Sequence, residues 1–497
     1  MILRRFASSI SSHSPRPFQL PPTIRQLLAS PTSPDAPAIT VSGWIKSIRR
    51  QKNVAFAVLT DGSSPQGLQA VFLVNGEGVK GLTNGAAVQL TGKLVPSPGA
   101  GQDKEFLVDF GKSSPGEGKV EILGACDPDT YPIQKQALST EYLRDHSHLR
   151  ARTDAIAAMI RLRSTLQQNI SAFFDNQGFT YTHTPILTGN DAEGAGESFR
   201  IAQTHTSHPA ATPAAEPSVH EREFFARPTH LTVSHQLHLE ALAGALSRVY
   251  TLSPCFRAER SLTGRHLAEF WMLEAEWALA GGVGVTCDLV EACLRSVVGG
   301  ALQRGGADVD VLWKGKGGGE ARRRALEDAV VGEAPWTRMT YTEAVKVLEE
   351  PARGGAFEYA PGWGRALQSE HEKWLAETLV KGPVFITDYP TTLKPFYMRK
   401  NADDKTVGCF DLIVPGVGEL VGGSVREERA DVLEAQMRRD FGDDLGAYQW
   451  YLDLRRYGGA PHMGFGMGFE RLVGWVGGIE NVRESIPFPR WAGRMLL

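Results

Sequence analysis

The stretch FRAERSLTGRHLAEFWMLE, residues 256–274, sets Arg257, Glu259, Arg265 and His266 among Phe256, Phe270, Trp271 and Leu273. Two later stretches carry chemistry of the same kind. FDLIVPGVGELVGGSVREER (410–429) supplies Asp411, Glu419 and Arg426, and GFGMGFERL (464–472) supplies Gly468 and Arg471. Guanidinium forks match the spacing of phosphate oxygens, carboxylates can hold a divalent metal on those phosphates, and glycines let a ligand approach the backbone. The chain has no G-x-x-x-x-G-K-[ST] string, so a P-loop is not the cradle.

These residues need elements to position them. Read with period two, Tyr250, Leu252, Phe256 and Ala258 share one face of a strand, and Arg257 and Glu259 take the other. After a loop, Trp271, Leu273, Ala275 and Trp277 oppose Phe270, Glu274 and Glu276. This predicts a β-hairpin with one core face and one charged face. Upstream, ITVSGWIKSIRR, VAFAVLTDG, LQAVFLVN, AVQLTGKLVPSP and EFLVDFG predict five short strands, the content of a small OB-type barrel over 36–125. Lys46, Arg49, Arg50 and Lys52 lie between its first two strands and Phe56 follows, a pattern suited to phosphate attraction and base stacking. Residues 126–150 read as a hinge with short helical pieces. Thr153 then caps a long helix with Ile156, Met159, Ile160, Ile170, Phe173 and Phe174 on its buried face, stopping near Gly178. Pro185, in FTYTHTPILT, marks an edge or interface strand. Within 151–497, residues 202–222 and the Gly/Arg-rich 281–335 read as insertions, the latter as a flexible surface excursion.

Composition sets the bounds. A chain of 497 residues, 42% apolar and 22% charged, suits two or three soluble domains, and no apolar run reaches a membrane span. A net charge of −3 confines any nucleic-acid contact to a local patch. Five scattered cysteines without a Cys-x-x-Cys pair point to a reducing compartment and free thiols. His205/His208 and His235/His238 have metal-like spacing, but the first pair reads as loop, the second would face opposite sides of a strand, and no third or fourth ligand is evident. No zinc site is expected. Residues 1–35 carry Arg4, Arg5, Arg16 and Arg25, many serines and no acid before Asp35, the composition of a mitochondrial presequence.

The three charged stretches resemble the second and third motifs of the class II aminoacyl-tRNA synthetases, and most closely the asparaginyl branch. FFDNQGFTYTHTPILTGNDAEGAGESF resembles the first motif; DPDTYPIQK, HLTVSHQLHLE, VGELVGGSVREER and NVRESIPFPR match further segments, so the resemblance runs over about residues 39–490. It implies an α+β catalytic domain, an antiparallel sheet flanked by helices, behind an all-β OB-fold barrel that binds the anticodon. It also implies a homodimer through the first motif around Pro185, with ATP, L-asparagine and tRNA(Asn) as substrates and Mg2+ as cofactor. Carried over by position, Arg257 contacts the α-phosphate, Glu259 the ATP base region, and Phe270 stacks on adenine. Arg265 and His266 lie near the outer phosphates, Arg471 holds the γ-phosphate beside Gly468, and Glu419 with Asp411 holds magnesium. Glu193 and Gln236 hold the α-amino end of the amino acid; Phe56 and Gln69 read the anticodon.

Aspartyl enzymes resembling this chain place lysine where Leu239 stands. Glu240, next along, is expected to accept from the asparagine amide NH2 while Arg426 donates to its oxygen, or simply to pair with Arg426. The chain departs from the family pattern at His235 (glycine in SGQL), Arg260 (asparagine) and Met463 (serine). An aspartyl-tRNA synthetase, a synthetase-like asparagine synthetase and a non-catalytic RNA-binding paralogue are the alternatives.

Overall fold

The computed structural model describes residues 20–32, 37–73, 77–99, 101–111, 118–190, 198–202, 223–279, 281–314 and 319–497. The chain divides between Tyr142 and Leu143 into two compact units. Among the described residues no helix is long and apolar enough to cross a membrane.

In the first unit the five expected strands close on themselves. Ile39–Arg50 pairs with Val54–Thr60, then follow Leu68–Leu73, Lys104–Asp109 and Ala87–Pro96, which pairs back onto Ile39–Arg50. A sixth strand, Lys119–Gly124, adds outside Ala87–Pro96. Alternation puts Val41, Ile45, Ala55, Ala57, Leu59, Ala70, Phe72 and Leu90 inside. Helix Ile24–Ala29 is fastened by a Thr23/Gln26 capping box and buries Ile24 and Leu27 in the same core. The barrel unit therefore starts before residue 36, and a presequence reaching residue 35 would remove part of its core.

The second unit is built on a sheet of eight strands, in the order Thr337–Thr340, Val384–Thr387, Cys409–Val414, Gly418–Val425, His462–Gly468, Glu269–Ala278, Arg248–Phe256, Thr180–Tyr181. The six inner strands pair antiparallel; the two outermost pairings are parallel, so the sheet is mixed at its edges. The long helix forms over Asp154–Asn176 with Thr153 as N-cap, although the Thr153 hydroxyl bonds back to Arg150 rather than capping.

Two expectations are corrected here. Residues 143–150 are anchored rather than hinge-like: the fully buried Arg150 donates to the carbonyls of Pro487 at 3.0 Å and Arg483 at 3.1 Å. The 281–335 region is not a flexible excursion either. It forms helices Val283–Trp313 and Gly319–Val331, and the first buries Cys287, Val290, Leu294, Val297 and Ala301 in the main core. Its glycines permit close crossing: a Cβ on Gly300 would sit 2.9 Å from Asn169 Nδ2, which donates to the Val297 carbonyl at 2.9 Å. The helical spacing of the apolar residues outweighed the low helix propensity of glycine.

Candidate active site

The hairpin forms as Arg248–Phe256 and Glu269–Ala278, and its core face holds Tyr250, Leu252, Leu273, Ala275 and Trp277. Trp271, expected on that face, is exposed; its amide donates to Glu470 Oε2 at 3.0 Å, so this end of the strand is tied to the helix Phe469–Gly477 instead. The charged face is not solvated. Glu274 and Glu276 are buried and lie opposite Gly466 and Gly464 on the neighbouring strand. A Cβ on Gly464 would come within 2.1 Å of the Glu276 carboxylate, so only glycine fits there.

At the Glu269 end a cavity of about 170 Å³ opens, lined by Arg257, Glu259, Arg265, His266, Phe270, Glu419, Gly468 and Arg471 among others. All eight expected ATP-site residues thus meet in one place. Arg257 lies over the Phe270 ring, 5.4 Å from its centroid. His266 Nε2 is 3.2 Å from Glu259, and its Nδ1 is 2.7 Å from Thr263 Oγ1. Arg471 donates to the Glu419 carbonyl at 2.7 Å from the first turn of its helix. Arg265 donates to Ser369 Oγ at 2.7 Å and lies 3.9 Å from Glu372.

Glu372, which the sequence reading did not single out, accepts from the Glu419 backbone N–H at 3.3 Å. Burial first, and then the charge of Glu419, push it up to about 7 against the pull of Arg265. Two carboxylates close enough for one to raise the other in this way suit a divalent cation, and Glu372 with Glu419 would hold one. Asp411 is committed elsewhere: Lys394 Nζ donates to both of its oxygens at 2.8 Å.

Four positions along the same strand from the cavity-lining Met272, which pairs with Gly468, a closed network surrounds Glu276. Arg426 grips the Glu276 carboxylate through Nε at 3.2 Å and through Nη2, and also donates to Ser424. Burial and the neighbouring Glu240 push Glu276 up to about 7, against Arg426. Glu240, expected to accept from the asparagine amide or to pair with Arg426, is occupied by other side chains of the protein. Its oxygens accept from Arg455 at 2.6 Å, Tyr451 at 2.8 and 2.9 Å, His462 at 2.9 Å and Gln236 at 3.0 Å. Burial works to raise its pKa, but Arg455, the His462 hydrogen bond and Arg426 outweigh it and hold the carboxyl well below the usual carboxylate range. Its contact with Arg426 is only 3.9 Å. Glu240 is thus a buried support, and the acid that neutralises Arg426 is Glu276. Leu239 packs with Ala243 and Val249. Glu193 lies outside the described residues.

The departures find places. Met463 is core, its sulfur beneath Gly281. Arg260 is exposed on the loop. His235 is fully buried, and neither it nor His238 is on a strand: His235 precedes the helix Gln236–Leu246, which contains His238. His235, Cys255 and Glu274 bring a possible ligand atom each within 4.8 Å of one another. Both His235 nitrogens and both Glu274 oxygens already bond to the protein.

On the barrel, Phe56 and Gln69 share the outer face, since Val58 pairs with Gln69 and Phe56 with Val71. The Arg49 guanidinium sits 5.4 Å from the Phe56 ring centroid. Arg50, expected to serve phosphates, instead donates to the carbonyls of Val79, Lys80 and Leu82.

Residues 139–492 match tRNA synthetases class II (D, K and N), and residues 39–110 match an OB-fold nucleic acid binding domain. The chain belongs to this class II tRNA synthetase family. Among its relatives, the asparagine–tRNA ligase of Rhodopirellula baltica is 45% identical over 93% of this chain and 91% of that protein. The asparagine–tRNA ligase of Nitratidesulfovibrio vulgaris is 44% identical over 92% and 96%. The crystal structure of asparaginyl-tRNA synthetase from Pyrococcus horikoshii complexed with asparaginyl-adenylate is similar with a TM-score of 0.78 at 29% identity, covering 92% of this chain and 96% of that one. The chain is an aminoacyl-tRNA synthetase.

Proposed function

We propose that this synthetase is an asparagine–tRNA ligase, using ATP to activate L-asparagine and passing it to the 3′ end of tRNA(Asn). The observation that carries the choice of amino acid is the pairing of Arg426 with the buried Glu276. An incoming aspartate carboxylate would meet an arginine already neutralised, beside a second buried acid, Glu240. A neutral amide can take the remaining Arg426 N–H donors without bringing an uncompensated charge.

In the first step the asparagine carboxylate oxygen attacks the α-phosphorus, and the bond to the bridging oxygen breaks, releasing pyrophosphate. In the second a terminal ribose hydroxyl attacks the acyl carbon, loses its proton and displaces AMP. No side chain is acylated. The protein's work is placement and charge stabilisation. Arg257 serves the α-phosphate, Arg265, His266 and Arg471 the outer phosphates, Glu259 and Phe270 the base. Magnesium, held by Glu419 and Glu372, would neutralise phosphate oxygens.

Three finer readings belong with this one. A homodimer through the segment around Pro185 is supported by the exposed apolar side chains of Tyr181, Ile186 and Leu187. Anticodon reading by Phe56 and Gln69 is supported by their shared outer face. Mitochondrial import is supported by the basic, acid-free composition of residues 1–19, which lie outside the described residues. Charging assays with unfractionated tRNA and each labelled amino acid test the activity: asparagine is incorporated and aspartate is not. Incorporation of aspartate alone would favour the aspartyl alternative.

A further inference from the structure

His235 has a placement that the reaction does not explain. Its Nδ1 lies 2.7 Å from Thr184 Oγ1, next to Pro185, and its Nε2 lies 3.1 Å from the Pro254 carbonyl, on the hairpin strand that leads to Arg257. Its backbone N–H donates to Glu274 Oε2 at 2.8 Å. Ser234, itself bonded to the other Glu274 oxygen, accepts the Gln236 N–H at 3.1 Å. The turn 234–236 is therefore pinned to three separate segments. The next side chain, Gln236, closes on Glu240 at 3.0 Å.

We propose that His235 is a positioning residue for the asparagine pocket: its imidazole bridges Thr184 and the Pro254 carbonyl, and so fixes the turn that aims Gln236 at the amino acid. This rests on the function proposed above and on the amino-end role that the resemblance implies for Gln236. One neutral tautomer satisfies both bonds. A carbonyl can only accept, so Nε2–H donates to Pro254, and Nδ1 accepts from the Thr184 hydroxyl. That tautomer leaves no ring lone pair for a metal, despite the nearness of Cys255 and Glu274. Removing the ring leaves a half-buried carbonyl and a half-buried hydroxyl without this partner, and the turn is free to relax.

ATP–pyrophosphate exchange by the full-length protein, with asparagine and ATP varied separately, tests the proposal. His235→Ala should raise the asparagine KM on the order of tenfold and leave the ATP KM within about twofold, because the ATP cavity has its own supports. His235→Gln, whose amide can donate to the Pro254 carbonyl, should recover part of the loss. Thr184→Val keeps the shape and removes the hydroxyl, and should raise the asparagine KM too. Combined with His235→Ala it should add little, as expected of two residues in one bridge. Should His235→Ala fail to fold, Thr184→Val alone decides. Three results would overturn the proposal: an unchanged asparagine KM, parallel rises in both KM values, or a stoichiometric metal in the purified wild type that His235→Ala loses. A wild type that does not exchange with asparagine would overturn the functional reading itself, and is told apart because it precedes any substitution.

Discussion

The Arg257–Arg471 cavity and the closed network around Glu276 lie along the same strands yet handle charge in opposite ways. In the cavity, Arg265, His266, Glu419 and Arg471 keep side chains about a third to a half exposed, and the ion pair between the Arg471 guanidinium and the Glu419 carboxylate is long, at 3.8 Å. In the network, Glu240, Glu276, Arg426 and Arg455 are nearly inaccessible and bound at 2.6–3.2 Å. Open charges with loose partners can be taken over by a polyanion. On the function proposed above, closed charges that already balance each other would suit a neutral amide and disfavour an unmatched ion.

The largest effect expected from breaking this contrast is on the closed side. Glu240→Ala removes the acceptor of Arg455, Tyr451, His462 and Gln236 at once. It should destabilise the catalytic unit by about 3–5 kcal/mol, because it strands a buried charge; denaturant titration checks this, and a loss below about 1 kcal/mol would mean the network is not closed. On the open side, Arg257→Ala should leave stability nearly untouched. It should lower the exchange rate on the order of 10²–10³-fold by removing one preorganised charge. Near-normal exchange would sink its assignment to the α-phosphate.

The contrast was only half legible in the sequence. The cavity residues fall within short motifs, so quoting the motifs delivers them together. The pocket residues Tyr451, Arg455 and His462 sit on a helix and a strand far from Glu240 in sequence, in segments without a distinctive string. Their one signal was Arg455 three residues after Leu452 on an amphipathic helix, where an inward arginine demands a buried acid. Glu276 was legible as part of the charged face of the hairpin, but nothing in the sequence named Arg426 as its partner. The barrel strands were legible through alternation. The helix Val283–Trp313 was not, because its glycines resemble linker composition and only their packing against Asn169 and Thr165 shows what they are for.

A smaller effect sharpens the boundary between the two regions. Glu372, facing Glu419, Arg265 and Asp411, is raised up to about 7 from an ordinary 4.5. A carboxyl raised on folding binds more protons folded than unfolded, so stability falls as pH rises from about 4.5 towards 7. Glu372→Gln should reduce that slope, by on the order of 1 kcal/mol across the window, and leave the part due to Glu276. Thermal melts of both proteins between these pH values measure it, and identical slopes would place the titration elsewhere.

Smallest in catalytic terms is the barrel. Phe56→Ala should weaken tRNA binding by ~1–3 kcal/mol per unstacked base while tRNA-independent exchange is unchanged. Equal loss in both assays would make Phe56 a structural residue.

The claim that the closed pocket is built for an amide is tested most directly by the ratio of kcat/KM for asparagine and aspartate in pyrophosphate exchange by the wild-type protein. With Arg426 already neutralised by Glu276, the ratio should favour asparagine on the order of 10⁴-fold, the discrimination typical of a site whose buried polar groups a wrong ligand leaves unpaired. Comparable values for the two amino acids would contradict the account.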